Sequence, residues 1–495
     1  MNMDQSLLTP RSTIVAALLL LWAALALRCL PFLNLHDSDM ELFVYMGKLV
    51  SQGGIIGVDL FDNKLPTVGL LMQWPYAVFG ANWAGYASMS VGLYVVTVLA
   101  LARAAGRVHK TSTWPTAVMA GAWMCLPMVV SSPFKLEHVQ VCFAAIGAWA
   151  AVRCLTGSGH ARHAFVLGLC AGIAAMAKPS GGAVMLAGGV AMLFAKHIDV
   201  RTRLRLACAA MAGLCFPLAY VGLYLLKPGA WEGLLMCVSQ VRAYSAGAVW
   251  VGSELMIKLL SAGAVLGVPL LLRGWGERRA AVALPTHARA VVLFASLWLS
   301  LEVVAVVLQG RLYAYHFLTI FAPASLAFGL LLRRPRWGML LMGAAPVLAL
   351  GVWMGTSQVA HPVERLRAID YVREHAAPGD GVWMDDIGRI LVETDLRPGS
   401  RLPLTFVFTN DDTAPTRFAK VLIDDIESRR PRWLVYPADV EKWVGFLRAH
   451  QFELAGSVAR GDRLLTAWRD IDHVVQQHYV MRAQFGRLVV LERKK

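Results

Sequence analysis

The chain has 495 residues, of which 57% are hydrophobic and only 16% charged, with a mean hydropathy of +0.54 and a formal charge of +15. A soluble globular protein does not have this composition. The basic excess is not a nucleic-acid footprint either: 26 of the 47 Lys and Arg, against 12 of the 32 Asp and Glu, precede residue 356, and the rest of the chain is close to neutral. Such asymmetry is the mark of topology signals between membrane spans.

In chain order, the apolar run near 13–30 lacks a small-residue cleavage site and is followed by many others, so it reads as a retained span and not a signal peptide. Next comes HDSDMELFVYMGKLVSQGGIIGVDLFDNKLP, within the expected first extracytoplasmic loop, 31–80. It holds Asp37, Asp39, Glu41, Asp59 and Asp62, five of the twelve acids before residue 356, with Lys64 among them. Leu42, Phe43, Met46, Leu49 and Val50 share a helical side, and Gly53-Gly54 ends the segment. One acid at 37 or 39 would serve as a helix N-cap, but a cap needs one short polar side chain and this segment has three acids. Residues 65–80 are apolar but broken by Pro66 and Pro75, which suits an interfacial or re-entrant segment better than a span.

Further runs near 83–102, 114–131, 138–152, 164–177, 181–195, 206–226, 255–272, 290–308, 316–332 and 338–355 bring the expected spans to about eleven. Five connections are basic, such as Lys196-Arg201-Arg203-Arg205 and Arg333-Arg334-Arg336, and alternate with connections poor in Lys and Arg. The positive-inside rule then places the N-terminus in the cytoplasm, and the acidic loop and the C-terminal part outside, in the periplasm of a bacterium. All eight cysteines lie in residues 1–355, with neither a disulfide framework nor a metal-type spacing.

Residues 356–495 form an expected small α/β domain, read as a lid or acceptor-side domain. Helices are expected at 363–376, 415–428 and 439–450, and strands at 382–384, 433–436, about 464–469 and 487–492. No Gly-rich phosphate loop or nucleophile triad is present there.

On the outward side the remaining charged or ionisable groups sit at span ends: Lys135 and Glu137 in SPFKLEHV, Lys178 in AMAKPSGG, and Arg311 with His316 in GRLYAYHFL. Ionisable groups at such places face a cavity or a partner. Carboxylates beside lysines at a membrane face suit chemistry on a lipid phosphate. The competing class is a membrane transporter or lipid flippase, which calls for an internal repeat and charges deep within spans; no repeat is visible.

The combination resembles the membrane glycosyltransferases of C-type fold, in particular the dolichyl-phosphate-mannose protein mannosyltransferases and the bacterial aminoarabinose lipid A transferases. The resemblance is carried, over nearly the whole chain, by DSDME after the first span, VDLFDNKLP about twenty residues later, AMAKPSG at a span end, GRLYAYHFLTIFAP before a late span, and LRAIDYVREHAAPGDGVWM at the start of the tail. It implies a C-type transmembrane module over 1–355 with an extracytoplasmic α/β domain over 356–495. It implies also inverting transfer of a sugar from a polyprenyl-phosphate donor to a lipid, glycan or protein acceptor. By the same resemblance Asp39 takes the catalytic position, with Glu41 and Asp37 beside it. Lys64 meets the donor phosphate, Arg311, Lys178 and His316 are further donor-binding groups, and Asp59, Asp62, Glu137 and Tyr313 support them. The acidic cluster would accept Mg²⁺ or Mn²⁺, a cofactor many relatives do without. The bilayer of a bacterial inner membrane is the expected setting, and nucleic acid is not an expected partner.

Overall fold

The computed structural model of the protein describes residues 38–124, 134–157, 159–246, 285–309, 316, 318–331, 363–385, 387–403, 413–451 and 458–495. It divides into two compact units. One comprises residues 1–35, 84–220 and 252–359, and the other 36–83, 221–251 and 360–495. The acidic loop therefore clusters with the C-terminal part of the chain.

In chain order the helices are α1 (Ser38–Ser51), α2 (Pro66–Phe79), α3 (Trp83–Val108), α4 (Thr113–Met124), α5 (Leu136–Leu155), α6 (Ala161–Ala177), α7 (Ala183–Phe194), α8 (Val200–Leu225), α9 (Ala230–Ala246), α10 (Thr286–Leu308) and α11 (Leu318–Leu331). Among the described residues α3, α5, α8 and α10 are long and apolar enough to cross a membrane, and α6, the stretch Pro179–Phe194 and Leu318–Leu330 are apolar but shorter. The expected spans at 13–30, 255–272 and 338–355 lie outside the described residues, as does the end of 114–131; the others fall on helices.

The first unit is packed with small residues. Ala144, Ala145, Ala148 and Ala151 of α5 face Leu167, Ala171 and Ala174 of α6 in one buried core with Phe294 and Trp298 of α10. At Gly168 the backbone of α6 comes so near that of α8 that an added Cβ would meet Ala210 O. Without a hydrophobic driving force inside lipid, close backbone approach over small residues is how apolar helices gain contact.

In the second unit α1 is buried on nearly all sides, Val44, Tyr45 and Lys48 included, and not along the single face its sequence pattern suggests. It packs on α2 through glycine: a Cβ on Gly47 would meet Met72 O at 2.6 Å, and one on Gly69 would meet Val50 Cγ2 at 2.8 Å. Residues 65–80, read as an interfacial or re-entrant stretch, form the helix α2, with Pro66 at its first position and Pro75 inside.

The C-terminal part adds α12 (Val363–His375), β1 (Gly381–Met384), α13 (Gly388–Glu393), β2 (Arg397–Pro398), α14 (Ala414–Arg429), β3 (Trp433–Pro437), α15 (Val440–Gln451), α16 (Val458–His478), β4 (Tyr479–Phe485) and β5 (Leu488–Arg493). The sheet order is β2-β1-β3-β5-β4; β1 is parallel to β2 and β3, while β5 is antiparallel to β3 and β4. Trp383, Phe418, Leu422, Ile426, Leu434, Trp468 and Ile471 form its core, together with Phe61 from the acidic loop.

One expected strand is corrected. Residues 464–469 lie inside the helix α16, whose buried Leu464, Ala467, Trp468, Ile471 and Val475 recur at helical spacing. The short run LLTAW has a strand-like density of apolar residues, and only the flanking residues reveal the longer period. The hairpin strand β4, edge strand β2 and six-residue α13 escape sequence reading because each is short or mostly exposed.

Candidate active site

Two groups of polar residues, one in each unit, account for the described candidates. In the second unit, α1 begins at Ser38, so Asp39 and Glu41 both lie in its first turn. Successive helical residues are turned by about 100°. Residues two apart thus point to nearly opposite sides, and the two acids meet different partners.

Asp39 Oδ1 lies 3.4 Å from the Lys64 ammonium, and the side chains are 24% and 20% exposed. Asp62 Oδ1 lies at the same 3.4 Å from Lys64 Nζ and also accepts the Lys64 backbone N–H at 3.0 Å. This short local turn aims the lysine back over α1, where its ammonium also sits 5.7 Å above the Phe43 ring. Asp62 is buried, and its Oδ2 has no hydrogen-bond partner among the described residues. Burial pushes its carboxyl above the ordinary carboxylate range, and the neighbouring Lys64 offsets only part of that rise.

Glu41 is 1% exposed and is taken by guanidinium groups, Arg365 Nη2 at 2.5 Å and Arg389 Nη1 at 3.9 Å. Asp59 closes its own loop, its Oδ2 accepting the Ile55 N–H at 2.8 Å. That loop is seated against the end of α8 and against α9: Ile56 N–H donates to the Tyr224 hydroxyl of α8 at 3.0 Å, and at Gly57, with φ of +90°, an added Cβ would strike Gly233 of α9. A side chain there is excluded both by conformation and by space.

In the first unit the structure brings Glu137, Lys178 and His316 together. Lys178 ends α6 in an extended conformation, its ammonium pairing with Glu137 in the first turn of α5 and donating to Gln309 Oε1 at 3.3 Å. His316 Nε2 is 3.8 Å from the same Glu137 oxygen. Next to Glu137, the buried His138 ring is held by the Ser90 hydroxyl at 3.0 Å and the Tyr94 hydroxyl at 2.8 Å. Asp37, Arg311 and Tyr313 lie outside the described residues.

Sequence reading missed Glu302. It is 1% exposed within α10 and accepts hydrogen bonds from Trp298 Nε1 at 3.3 Å and Gln140 Nε2 at 3.4 Å. Gln140 also donates to Ser180 at 2.8 Å. Ionisable groups are thus not confined to span ends. A lone acid in an apolar run, SLWLSLEVVAVVL, was the available signal. Arg365 and Arg389 were missed too, since nothing in a sequence links them to an acid more than 320 positions away.

Among the described residues no group of three or more His, Cys, Asp and Glu is placed to hold a metal ion. The Lys64 ammonium stands 3.4 Å from both Asp39 Oδ1 and Asp62 Oδ1. The described residues therefore do not fit a metal centre, and no step is assigned to one.

Comparison of the sequence with protein-family models and with curated proteins finds no match. Solved structures do match. An oligosaccharyltransferase of Archaeoglobus fulgidus, in a complex with Zn and sulfate, is similar with a TM-score of 0.56 at 13% identity, over 90% of this chain and 70% of that one. ArnT of Cupriavidus metallidurans bound to undecaprenyl phosphate is similar with a TM-score of 0.50 at 14% identity, over 97% of both chains. At such identities the likeness is one of fold, and it extends from the apolar helices into the C-terminal sheet. The resemblance to membrane glycosyltransferases of C-type fold, first carried by short motifs, thus holds for the fold of the chain.

Proposed function

We propose that the protein is an inverting membrane glycosyltransferase that moves a sugar from a polyprenyl-phosphate donor to an acceptor at the outer face of the membrane. The observation that carries this reading is the Asp39–Lys64–Asp62 cluster, which joins a partly exposed carboxylate to an ammonium at 3.4 Å in a chain of this fold. The fold neighbour bound to undecaprenyl phosphate supports a donor of that lipid class.

The chemistry needs little more than these groups. The acceptor oxygen attacks the anomeric carbon from the side opposite the phosphate, and Asp39 takes the proton from the acceptor O–H. The anomeric C–O bond breaks, its electron pair stays on oxygen, and polyprenyl phosphate leaves with the anomeric configuration inverted. A phosphate is a good leaving group, so one general base suffices. Lys64 stabilises the charge that grows on the departing phosphate. Burial holds the Asp62 carboxyl above the ordinary carboxylate range, which disfavours the charged form that would compete with the phosphate for the ammonium. Arg311, Lys178 and His316 are assigned donor-binding roles, with Glu137, which pairs with Lys178, and Tyr313 in supporting roles. Glu41, held by two guanidinium groups, is assigned to the frame of the site and not to proton transfer.

Binding tests the donor class. Purified protein in nanodiscs is expected to bind undecaprenyl phosphate and not undecaprenol, which has the same tail without the phosphate. Equal binding of the two would remove the phosphate from the recognition and with it this reading.

Orientation is a separate expectation. The basic connections put residues near Lys110, Arg203 and Arg279 in the cytoplasm and everything after residue 356 outside. Reporter fusions at these points are expected to report those compartments. A cytoplasmic signal from the C-terminal part would place the acidic loop, which packs in the same unit, away from an outer-face acceptor.

A further inference from the structure

We infer that Arg365 and Arg389 of the C-terminal part are positioning residues for Asp39, acting through Glu41; the inference rests on the catalytic reading of Asp39 given above. Four observations carry it, and all lie within one compact unit.

The first is the pairing itself. Glu41 is 1% exposed, and its two carboxylate oxygens go to different guanidinium groups, Oε2 to Arg365 at 2.5 Å and Oε1 to Arg389 at 3.9 Å. Arg389 is in turn fixed, its Nε 2.9 Å from Glu393 and its guanidinium 5.7 Å over the Trp83 ring. A buried carboxylate held from two sides has little rotational freedom. It is attached two residues after Asp39, on nearly the opposite side of the same helical turn. The rotation of α1 that satisfies Glu41 therefore dictates where the Asp39 carboxylate points.

The second is Lys48, seven residues after Glu41 and so on the same face of α1. Lys48 is 7% exposed, and its ammonium donates to Leu391 O at 2.6 Å and Thr394 O at 2.8 Å, at the end of α13. Helix α1 is thus fastened to the same short element at two points about two turns apart, which fixes its axis as well as its rotation.

The third is contact without side chains. At Gly388, the first residue of α13, an added Cβ would meet Glu41 C at 2.7 Å and Leu42 N at 2.8 Å. No other residue fits unless α1 moves.

The fourth concerns Lys64. Three residues before it, Phe61 N–H donates to Arg401 O at 2.7 Å, and the Phe61 ring is part of the C-terminal core with the Arg401 guanidinium 5.0 Å over it. Arg401 is held by the buried Asp425 at 3.0 Å. The acid and the ammonium are therefore each tied to the C-terminal part, by separate contacts, and that part sets the distance between them. A freestanding lid would need neither tie.

The test is a double-mutant cycle in the full-length protein, with turnover measured over a panel of polyprenyl-phosphate sugars and normalised to folded protein. Arg365→Ala is expected to lower kcat on the order of tenfold to a hundredfold, the usual cost of a catalytic group displaced by about an ångström. KM for the donor should change little, since Lys64 is held through Phe61. Arg365→Lys should recover part of the loss. In an Asp39→Asn background Arg365→Ala should cost almost nothing more, because the group it positions is gone. Gly388→Ala, which keeps every charge, should repeat the kcat loss and the same coupling, and Arg432→Ala, which breaks exposed pairs with Asp380 and Glu492, should not. Losses that simply multiply with that of Asp39→Asn, or Arg365→Ala with parental kcat, overturn the inference while leaving the catalytic reading intact. Should Asp39→Asn itself turn over normally, it is the catalytic reading that fails.

Discussion

Asp39→Asn is expected to lower sugar transfer by on the order of a hundredfold or more, the range ordinarily lost with a general base. Asparagine keeps the size of the side chain, so the loss belongs to the missing negative charge and proton affinity. Folding should be unaffected. The pair with Lys64 is long and partly exposed, a geometry that contributes between about 0 and 1 kcal/mol. Helix α1 stays held by Glu41 and Lys48. The check is turnover of a polyprenyl-phosphate sugar by protein whose melting temperature matches that of the parent. Near-normal turnover would pass the base role to Asp37, since Glu41 is already committed to Arg365 and Arg389.

Lys64→Ala is the second large effect. A charge-assisted hydrogen bond to phosphate contributes about 1.5–3 kcal/mol, so affinity for undecaprenyl phosphate is expected to fall roughly tenfold to a hundredfold. Removing the ammonium also leaves the backbone N–H of residue 64 as what remains to offset the charge of the buried Asp62, which drives that carboxyl further toward its neutral form. Lys64→Arg should restore part of the affinity, because the charge survives while the compact point geometry does not. A lysine that merely reaches out of the membrane along its apolar stem would give two variants alike and close to the parent. Titration with undecaprenyl phosphate separates these results, and parental affinity in Lys64→Ala would take the residue out of the site.

The sequence by itself determined the membrane class, most helix positions and the acidic loop to which the proposed chemistry is assigned. These follow from quantities local in the chain: an apolar run long enough to span, and a run of acids with a lysine where basic residues are scarce. The tertiary structure decided which partner each acid meets. Asp39 and Glu41 are two residues apart and of equal charge, yet helical rotation sends one to Lys64 and the other to Arg365, 324 positions away. It also decided that α1 is buried on nearly all sides, that 464–469 belongs to a helix, and that Glu302 lies hydrogen-bonded inside α10. A sequence pattern reports which faces of a segment are apolar. Only the packed chain reports which polar group stands opposite each charge, because that pairing is set by contacts between elements hundreds of residues apart.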